Sequence, residues 1–356
     1  MSAETTSQRT AILLLAHGTP DKLSEMAEYL QKVTGGRPMP QEVIEELQHR
    51  YAEIGLTETK PGLGNDRLPS GPPLTHWTLL QGRMLSEFLG QPVYVGMRNW
   101  HPYIADVVAQ MRADGIQHAR VLCLAPQNSR TSTGLYRRAA LTEAVGIIVD
   151  FIDGWAHEPL LAQAFAARLR VAIAQVKSES DDPIHVLFTA HSVPCRTIQA
   201  AAASAGQPIL WPSGRPGASG TAESTPDPYP VEAKFTAQAV AALVPEVTNW
   251  YFAFQSQGAS GGPWIGPSVE STLDALAQQG VRNLILQPIG FLCDHVEILY
   301  DIDIAFHDYA AKLGIRLSRP ESLNDSPILT QALVQLSREA FVRLDTELPV
   351  TPGEVS

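Results

Sequence analysis

Short apolar runs alternate with longer amphipathic stretches along most of this chain. The runs are rich in Leu, Val and Ile and predict buried β-strands, whereas apolar residues spaced three or four apart predict the helices between them. This alternation is typical of βαβ units and a parallel sheet. Strands are predicted at residues 11–16, 92–97, 119–124, 146–151, 184–190, 249–254, 282–287 and 314–318.

The two halves of the chain resemble each other in detail. A histidine follows the first strand of each half, within Leu15–Pro20 in one and within Thr189–Pro194 in the other. The predicted fold class is therefore α/β, with two similar Rossmann-like lobes, each a four-stranded parallel sheet flanked by helices. Ligands of such sheets bind outside the carboxyl ends of the strands, so we expect the site in a cleft between the lobes.

The domain boundaries follow from the same pattern. We place an N-terminal lobe at residues 8–148 and a C-terminal lobe at residues 149–325, with a flexible insertion rich in Ala, Ser, Gly and Pro at 200–230. A last helix at 326–345 is expected to pack back on the N-terminal lobe.

Composition excludes several classes of protein. The 356 residues carry a net charge of −11, which argues against nucleic acid as a partner. Three cysteines without metal-site spacing predict reduced thiols and no iron–sulfur cluster. The chain shows neither a leader peptide nor an apolar run long enough to span a membrane, so we expect a cytoplasmic protein.

The segment with the most candidate catalytic or metal-binding side chains is the acidic run that follows the strand at 282–287. Asp294, Glu297 and Asp301 are spaced i, i+3 and i+7, which places them on one face if the segment is a continuous helix. Such a row of like charges requires a bound cation, protonation of some acids, or full solvation. Carboxylates joined by a histidine suit first-row transition metals.

Other residues supply candidates for the rest of the site. His191, at a strand end, can act as a base or a metal ligand, or it can simply bond the next turn. His17 occupies the matching point of the other half, so the two rings could face a flat ligand. Arg50 and Tyr51 end a helix and could bind a substrate carboxylate, although an exposed helix-end arginine is the simpler interpretation. Trp264 could pack against the face of a planar ligand, and a tryptophan of the protein core is the alternative.

A competing motif is the G-x-S-x-G pattern at Gly258–Gly262, which serine hydrolases use. Their nucleophile stands at a sharp strand-to-helix turn, whereas Ser260 lies within a Gly/Pro loop. A hydrolase is therefore a remote alternative.

The order of the motifs resembles that of the ferrochelatase family. The resemblance covers residues 11 to about 345 and is carried by Ala16–Pro20, Gly71–Thr75, Thr189–Pro194, Asp227–Pro230, Gln255–Gly258, Pro263–Pro267 and Gly290–Asp303. It implies a chelatase-type fold with a porphyrin cleft. It also implies that His191 and Glu297 form the metal-site and proton-transfer pair, with Asp301 continuing the acidic row.

Three positions depart from the pattern of this family. His17 stands where soluble members commonly have a tyrosine that ligates the product iron, Ala305 stands where a further carboxylate is usual, and Gln127 stands where many members have histidine. These departures concern metal preference and auxiliary metal sites more than the reaction itself.

The resemblance predicts a lyase that inserts Fe²⁺ into coproporphyrin III or protoporphyrin IX in haem biosynthesis, with release of two pyrrole protons. Fe²⁺ is then a substrate, and no tightly bound cofactor is expected. The expected partners are the porphyrin and other enzymes of the haem pathway, with the chain itself a monomer. The alternatives are a cobalt chelatase on the same fold and a non-catalytic porphyrin or haem carrier.

Overall fold

The computed structural model describes residues 9–58, 72–198, 226–257 and 263–346, with side chains up to residue 338 in the last range. Within these ranges eight strands form two parallel sheets, β1 (Thr10–Ala16), β2 (Val93–Met97), β3 (His118–Cys123), β4 (Ile148–Ile152), β5 (Ile184–His191), β6 (Trp250–Gln255), β7 (Asn283–Pro288) and β8 (Arg316–Ser318). The sheet orders β2-β1-β3-β4 and β6-β5-β7-β8 have the same topology. The predicted fold class is confirmed, and each predicted strand overlaps an observed one.

Helices connect the strands. They are α1 (Met26–Val33), α2 (Gln41–Glu53), α3 (Pro73–Leu89), α4 (Ile104–Ala113), α5 (Thr133–Glu143), α6 (Pro159–Glu179), α7 (Cys195–Ile198), α8 (Tyr229–Leu243), α9 (Val269–Gln278), α10 (Val296–Leu299), α11 (His307–Lys312) and α12 (Pro327–Thr346), with a 3₁₀ turn at Leu23–Glu25 and a π-helix at Asp301–Phe306. None of the helices in the described ranges is long and apolar enough to cross a membrane.

The central strands are apolar on both faces because helices cover both sides of each sheet. In β1, residues 11–16 are at most 5% exposed. This strand pairs in parallel with β2 and β3, and β5 does the same with β6 and β7. The carboxyl ends of the central strands therefore lie together at one edge of each sheet.

Strand β4 crosses the predicted domain boundary at 148/149. Val149 pairs with Ala119 and Phe151 pairs with Val121, both in β3, so residues 149–152 complete the first sheet. The predicted insertion at 200–230 lies largely outside the described residues, and α8 begins within it, at Tyr229.

One apolar core extends from the first sheet to the second. It contains Leu14 of β1, Phe165 of α6, Phe188 of β5 and Leu333 of α12, each at most 1% exposed. Helix α12 packs against both α3 and α6. Leu329, Leu333 and Leu336 are buried there, as their helical spacing predicts, whereas the side chain of Phe341 lies outside the described part.

Candidate active site in the cleft between the lobes

A cavity of about 400 Å³ lies where the carboxyl ends of the two sheets face each other. Its walls come from the turns after β1, β3, β5 and β7, including His17, Gln127, His191 and Glu297. A second cavity, of about 440 Å³, lies at the opposite edge of the second sheet, before β5 and β6. The candidate catalytic residues His191 and Glu297 therefore line the first cavity, which we call the cleft.

His191 is the last residue of β5, and its ring is held from both sides. Its Nδ1 contacts the Ser192 carbonyl oxygen, to which it donates, so its Nε2 faces the cleft and lies 3.2 Å from Oε1 of Glu297. Burial disfavours the imidazolium, but the Glu297 carboxylate outweighs burial and raises the pKa of His191 to about 9. At neutral pH the pair is an imidazolium and a carboxylate.

Glu297 lies in the first turn of α10, where its backbone is fixed by two contacts. Its N–H donates to Nδ1 of His295 at 3.2 Å, and its carbonyl oxygen accepts a hydrogen bond from Nε2 of Gln255 at 2.9 Å. Burial favours the neutral acid, but His191 outweighs burial and lowers the pKa of Glu297 to about 2. The predicted meeting of the residue 191 ring and the residue 297 carboxylate is present, but the two groups are in direct contact on the second-lobe wall of the cleft and do not face each other across it.

Asp301 begins the π-helix and is 8% exposed. Ser256 donates to its Oδ2 at 2.6 Å, and Nη1 of Arg50 lies 3.4 Å from its Oδ1. Burial outweighs these contacts and raises the pKa of Asp301 to about 6. Ser256 has φ of +61°, a conformation that is unfavourable for a residue with a side chain. In this conformation its hydroxyl donates the hydrogen bond to Asp301.

The prediction that Asp294 shares a helix face with the other two acids is wrong. Helix α10 begins only at Val296, with His295 as its N-cap, so Asp294 precedes the helix. Its carboxylate instead accepts hydrogen bonds from Ser322 at 2.6 Å and Asn324 at 2.9 Å, and Arg319 lies 3.4 Å away. These polar partners, 25 to 30 residues further along the chain, hold Asp294 in a separate network.

His17 lines the first-lobe wall of the cleft, opposite His191. Its Nδ1 lies 3.1 Å from the Gly18 carbonyl oxygen, and its Nε2 lies 3.0 Å from Nδ2 of Asn99, which donates to it. Burial and the Arg98 guanidinium lower the pKa of His17 to about 4. His17 is therefore a neutral ring whose nitrogens both have protein partners.

The remaining predicted ligand contacts divide into two groups. Tyr51 and Trp264 line the cleft, and the Tyr51 hydroxyl accepts a hydrogen bond from Thr19 at 3.0 Å. Arg50 lies outside the cleft lining, where its guanidinium contacts Glu46 at 2.9 Å and packs over the Tyr300 ring. Ser260 lies outside the described residues.

Sequence reasoning missed four residues at or beside the site. Gln255 ends β6 beside His191 in the sheet register, so the rule of strand ends could have found it. Ser256 follows it. Tyr229 donates from its hydroxyl to the His191 carbonyl oxygen at 2.9 Å, and Arg98, just after β2, lines the cleft. Asp227–Pro230 and Gln255–Gly258 carry the family resemblance, but the sequence assigns no role to Tyr229, Gln255 or Ser256 within them.

Comparison with known proteins decides the family. A model of the ferrochelatase family matches residues 9–341. The chain belongs to the ferrochelatase family. It is 58% identical to a ferrochelatase from Acidobacterium capsulatum over 97% of this chain and 99% of that one. It is also 37% identical to a ferrochelatase from Herpetosiphon aurantiacus, over 92% of this chain and 97% of the relative.

Another relative is a coproporphyrin III ferrochelatase from Geobacillus thermodenitrificans. It is 30% identical to this chain over 90% of this chain and 93% of the relative. The family resemblance drawn from the motifs is confirmed. Family membership makes the chain a metal chelatase, a lyase that inserts Fe²⁺ into a porphyrin in haem biosynthesis.

Proposed function

We propose that insertion takes place at the His191–Glu297 pair, with Fe²⁺ and the porphyrin meeting in the cleft beside it. The observation that carries this proposal is the 3.2 Å contact between Nε2 of His191 and Oε1 of Glu297 at the cleft wall. The reaction joins Fe²⁺ to four pyrrole nitrogens and releases two N–H protons. It therefore needs a group that holds the metal and a group that accepts protons, and this pair offers both.

Before the metal arrives, the imidazolium and the carboxylate neutralise each other. Fe²⁺ approaching Glu297 would replace the positive charge of the imidazolium, so His191 would release its proton to the water that reaches this part-exposed pair, and its Nε2 lone pair would become available. His191 can then ligate the metal or accept a pyrrole proton. With at most two protein donors, His191 and Glu297, the site would leave the metal free to bind the porphyrin nitrogens, which would favour its transfer into the ring.

Asp301 is proposed as the next proton acceptor along this segment. Its pKa of about 6 lies close to neutrality, so it can take up and release a proton at little cost in free energy. His17, Tyr51 and Trp264 are proposed to contact the faces and edge of the macrocycle. Arg50 is a weaker candidate for binding a substrate carboxylate, because its guanidinium already contacts Glu46 and Asp301.

The cellular compartment, the oligomeric state and the partners of the enzyme are proposals as well. The three cysteines all lie in the described ranges and form no disulfide, which supports a reducing cytoplasmic compartment. We also propose that the chain acts as a monomer, with Fe²⁺ and the porphyrin as its substrates and no tightly bound cofactor, in contact with enzymes of the haem pathway.

The test is anaerobic assay of the purified protein with Fe²⁺ and a porphyrin, following the metalloporphyrin spectrum. We expect His191→Ala and Glu297→Gln each to lower kcat about a hundredfold or more, because proton transfer and metal placement are lost. Porphyrin affinity, measured by fluorescence without iron, should change little. His307→Ala and Glu87→Gln are matched controls, since both residues are exposed and outside the cleft.

Each alternative has its own outcome. Full activity of His191→Ala would remove that residue from the mechanism. Faster insertion of Co²⁺ than of Fe²⁺ would identify a cobalt chelatase, and tight porphyrin binding with no turnover would identify a carrier.

A further inference from the structure

Arg319 joins the two ends of the segment that carries Glu297 and Asp301. Its Nε and Nη2 atoms donate to the two carboxylate oxygens of Asp303, at 2.6 and 2.7 Å. Its Nη1 atom lies 3.4 Å from Oδ1 of Asp294. Asp294 precedes α10 and Asp303 lies in the π-helix, so one guanidinium holds the chain on both sides of the two acids.

The guanidinium of Arg319 is itself held in place by its own loop. Its Nη1 atom also donates to the Pro320 carbonyl oxygen at 3.0 Å and to Oγ of Ser322 at 3.2 Å. The side chain is 14% exposed, so water screens its contacts less than it screens those of a surface ion pair. A guanidinium that binds a carboxylate through two parallel hydrogen bonds fixes direction as well as distance. Arg319 therefore holds Asp303 in one orientation.

Asn324, in the same loop, connects the acidic segment to the first lobe. Its Oδ1 accepts from the backbone N–H of Asp294 at 2.9 Å, and its Nδ2 donates to the Asp294 carboxylate at 2.9 Å. Its own N–H donates to the Leu292 carbonyl oxygen at 3.0 Å. Its carbonyl oxygen accepts from Nε2 of Gln81, in α3, at 2.8 Å. The loop at 319–324 is thus attached to the first lobe while it holds the acidic segment.

The acidic segment needs such contacts because its own secondary structure is weak. Helix α10 has four residues and is followed directly by a six-residue π-helix. Helices this short are marginal on their own, and the π-helix is a rare conformation. The position of the Glu297 carboxylate therefore depends on what holds the two ends of the segment.

We infer that Arg319 is a positioning residue for metal insertion: by binding Asp294 and Asp303 at once, it holds the Glu297 carboxylate against His191 at the cleft wall. This inference rests on the proposed function of that pair. Arg319 lies outside the cleft lining, so it acts through the segment and not on the substrates. The proposed porphyrin contacts lie on other segments of the chain, so porphyrin affinity should not depend on Arg319.

The first test compares Arg319→Gln and Arg319→Lys in the anaerobic insertion assay, with the porphyrin that wild type metallates faster. We expect Arg319→Gln to lower kcat about tenfold or more, while the porphyrin Kd, measured by fluorescence without iron, changes less than about twofold. Arg319→Lys keeps the charge without the paired hydrogen bonds, so it should restore part of the loss. The control Arg316→Gln removes a charge that is 45% exposed and pairs with Glu179, and it should match wild type.

Asp303→Asn provides a second test, which also covers the case in which Arg319→Gln does not fold. It weakens the paired contact but leaves Arg319 beside Asp294, so kcat should fall about three- to tenfold with porphyrin Kd unchanged. Because both substitutions break the same contact, the double variant should be about as slow as Arg319→Gln alone.

Three results would overturn the inference: wild-type kcat in Asp303→Asn, a loss of porphyrin affinity as large as the loss of kcat in either variant, or losses that multiply in the double variant. The proposed function has a separate readout, the response to Glu297→Gln. If that substitution leaves kcat unchanged, the proposed function fails and this inference fails with it, whereas a Glu297→Gln defect with unaffected Arg319 and Asp303 variants rejects this inference alone.

Discussion

His17 is a neutral imidazole at physiological pH because burial, aided by the Arg98 guanidinium, lowers its pKa to about 4. Its Nε2 lone pair accepts a hydrogen bond from Asn99, a residue that is 2% exposed. Where the family pattern has a tyrosine that ligates the product iron, this chain thus has a histidine whose metal-binding nitrogen is already occupied. Ligation of iron by His17 would require Asn99 to move.

The lowered pKa of His17 predicts a specific pH dependence of stability. Between pH 6.5 and 4 the unfolded chain protonates this residue and the folded chain does not, so stability falls as pH falls through that window. The loss reaches about 3 kcal/mol at pH 4. His17→Phe and His17→Gln remove this contribution, so their free energy of unfolding should fall less steeply over the same range.

Urea denaturation at several pH values measures this slope. Parallel pH profiles for wild type and both variants would show that His17 binds its proton equally well in the folded and unfolded states.

At the scale of elements, helix α8 links the first lobe to His191. The loop after β3 donates from the backbone N–H of Asn128 to Glu232 at 2.6 Å and from that of Arg130 to Asp227 at 2.8 Å. The same Asp227 accepts from the N–H of Tyr229 at 3.0 Å, and the Tyr229 hydroxyl reaches the His191 carbonyl oxygen. The position of His191 therefore depends on contacts between the lobes.

Tyr229→Phe tests this positioning role, since it removes the hydrogen bond to the His191 carbonyl oxygen and keeps the ring. We expect kcat to fall about three- to tenfold, in line with the loss of one hydrogen bond, with little change in porphyrin affinity. A looser His191 contacts Glu297 less well, so the raised pKa of His191 in the free enzyme should fall and the acid limb of the kcat/KM profile should move to lower pH.

The control for this substitution is Tyr309→Phe, because that hydroxyl bonds Asp274 away from the cleft. An unchanged pH profile in Tyr229→Phe, whatever its kcat, would leave Tyr229 with a packing role only.

At the scale of the whole molecule, the lobes share one apolar core. Helices α6 and α12 contribute to it together with strands of both sheets. Helix α12 contacts α3 of the first lobe as well as α6, so it helps to hold the two lobes together. We therefore expect the two lobes to unfold together.

Leu333→Ala, at a site that is 0% exposed in α12, should lower the free energy of unfolding by about 2–5 kcal/mol, because it leaves a cavity in this shared core. Far-UV circular dichroism and tryptophan fluorescence should still report one coincident transition. Gln335→Ala, on the exposed face of the same helix, should be nearly neutral. Separate transitions for the two signals would indicate that the lobes are independent.

Local pattern was enough for much of this protein. The eight strands follow from apolar runs, and the meeting of His191 and Glu297 follows from a general property of parallel sheets, whose strand ends lie at one edge. The motifs were specific enough to identify the family. The strands and the family motifs depend on residues that are close in sequence, and the meeting of His191 and Glu297 depends on the repeated βαβ unit.

Only the tertiary structure decided which side chains pair with which. Asp294 leaves the acidic row for Asn324, 30 residues away, and Arg50 binds Asp301 across 251 residues. The Nε of Arg98 is buried without a hydrogen-bond partner only because of how remote segments pack around it. Hydrogen bonds and charge pairing depend on distances of a few ångströms between remote segments, and local sequence patterns do not contain those distances.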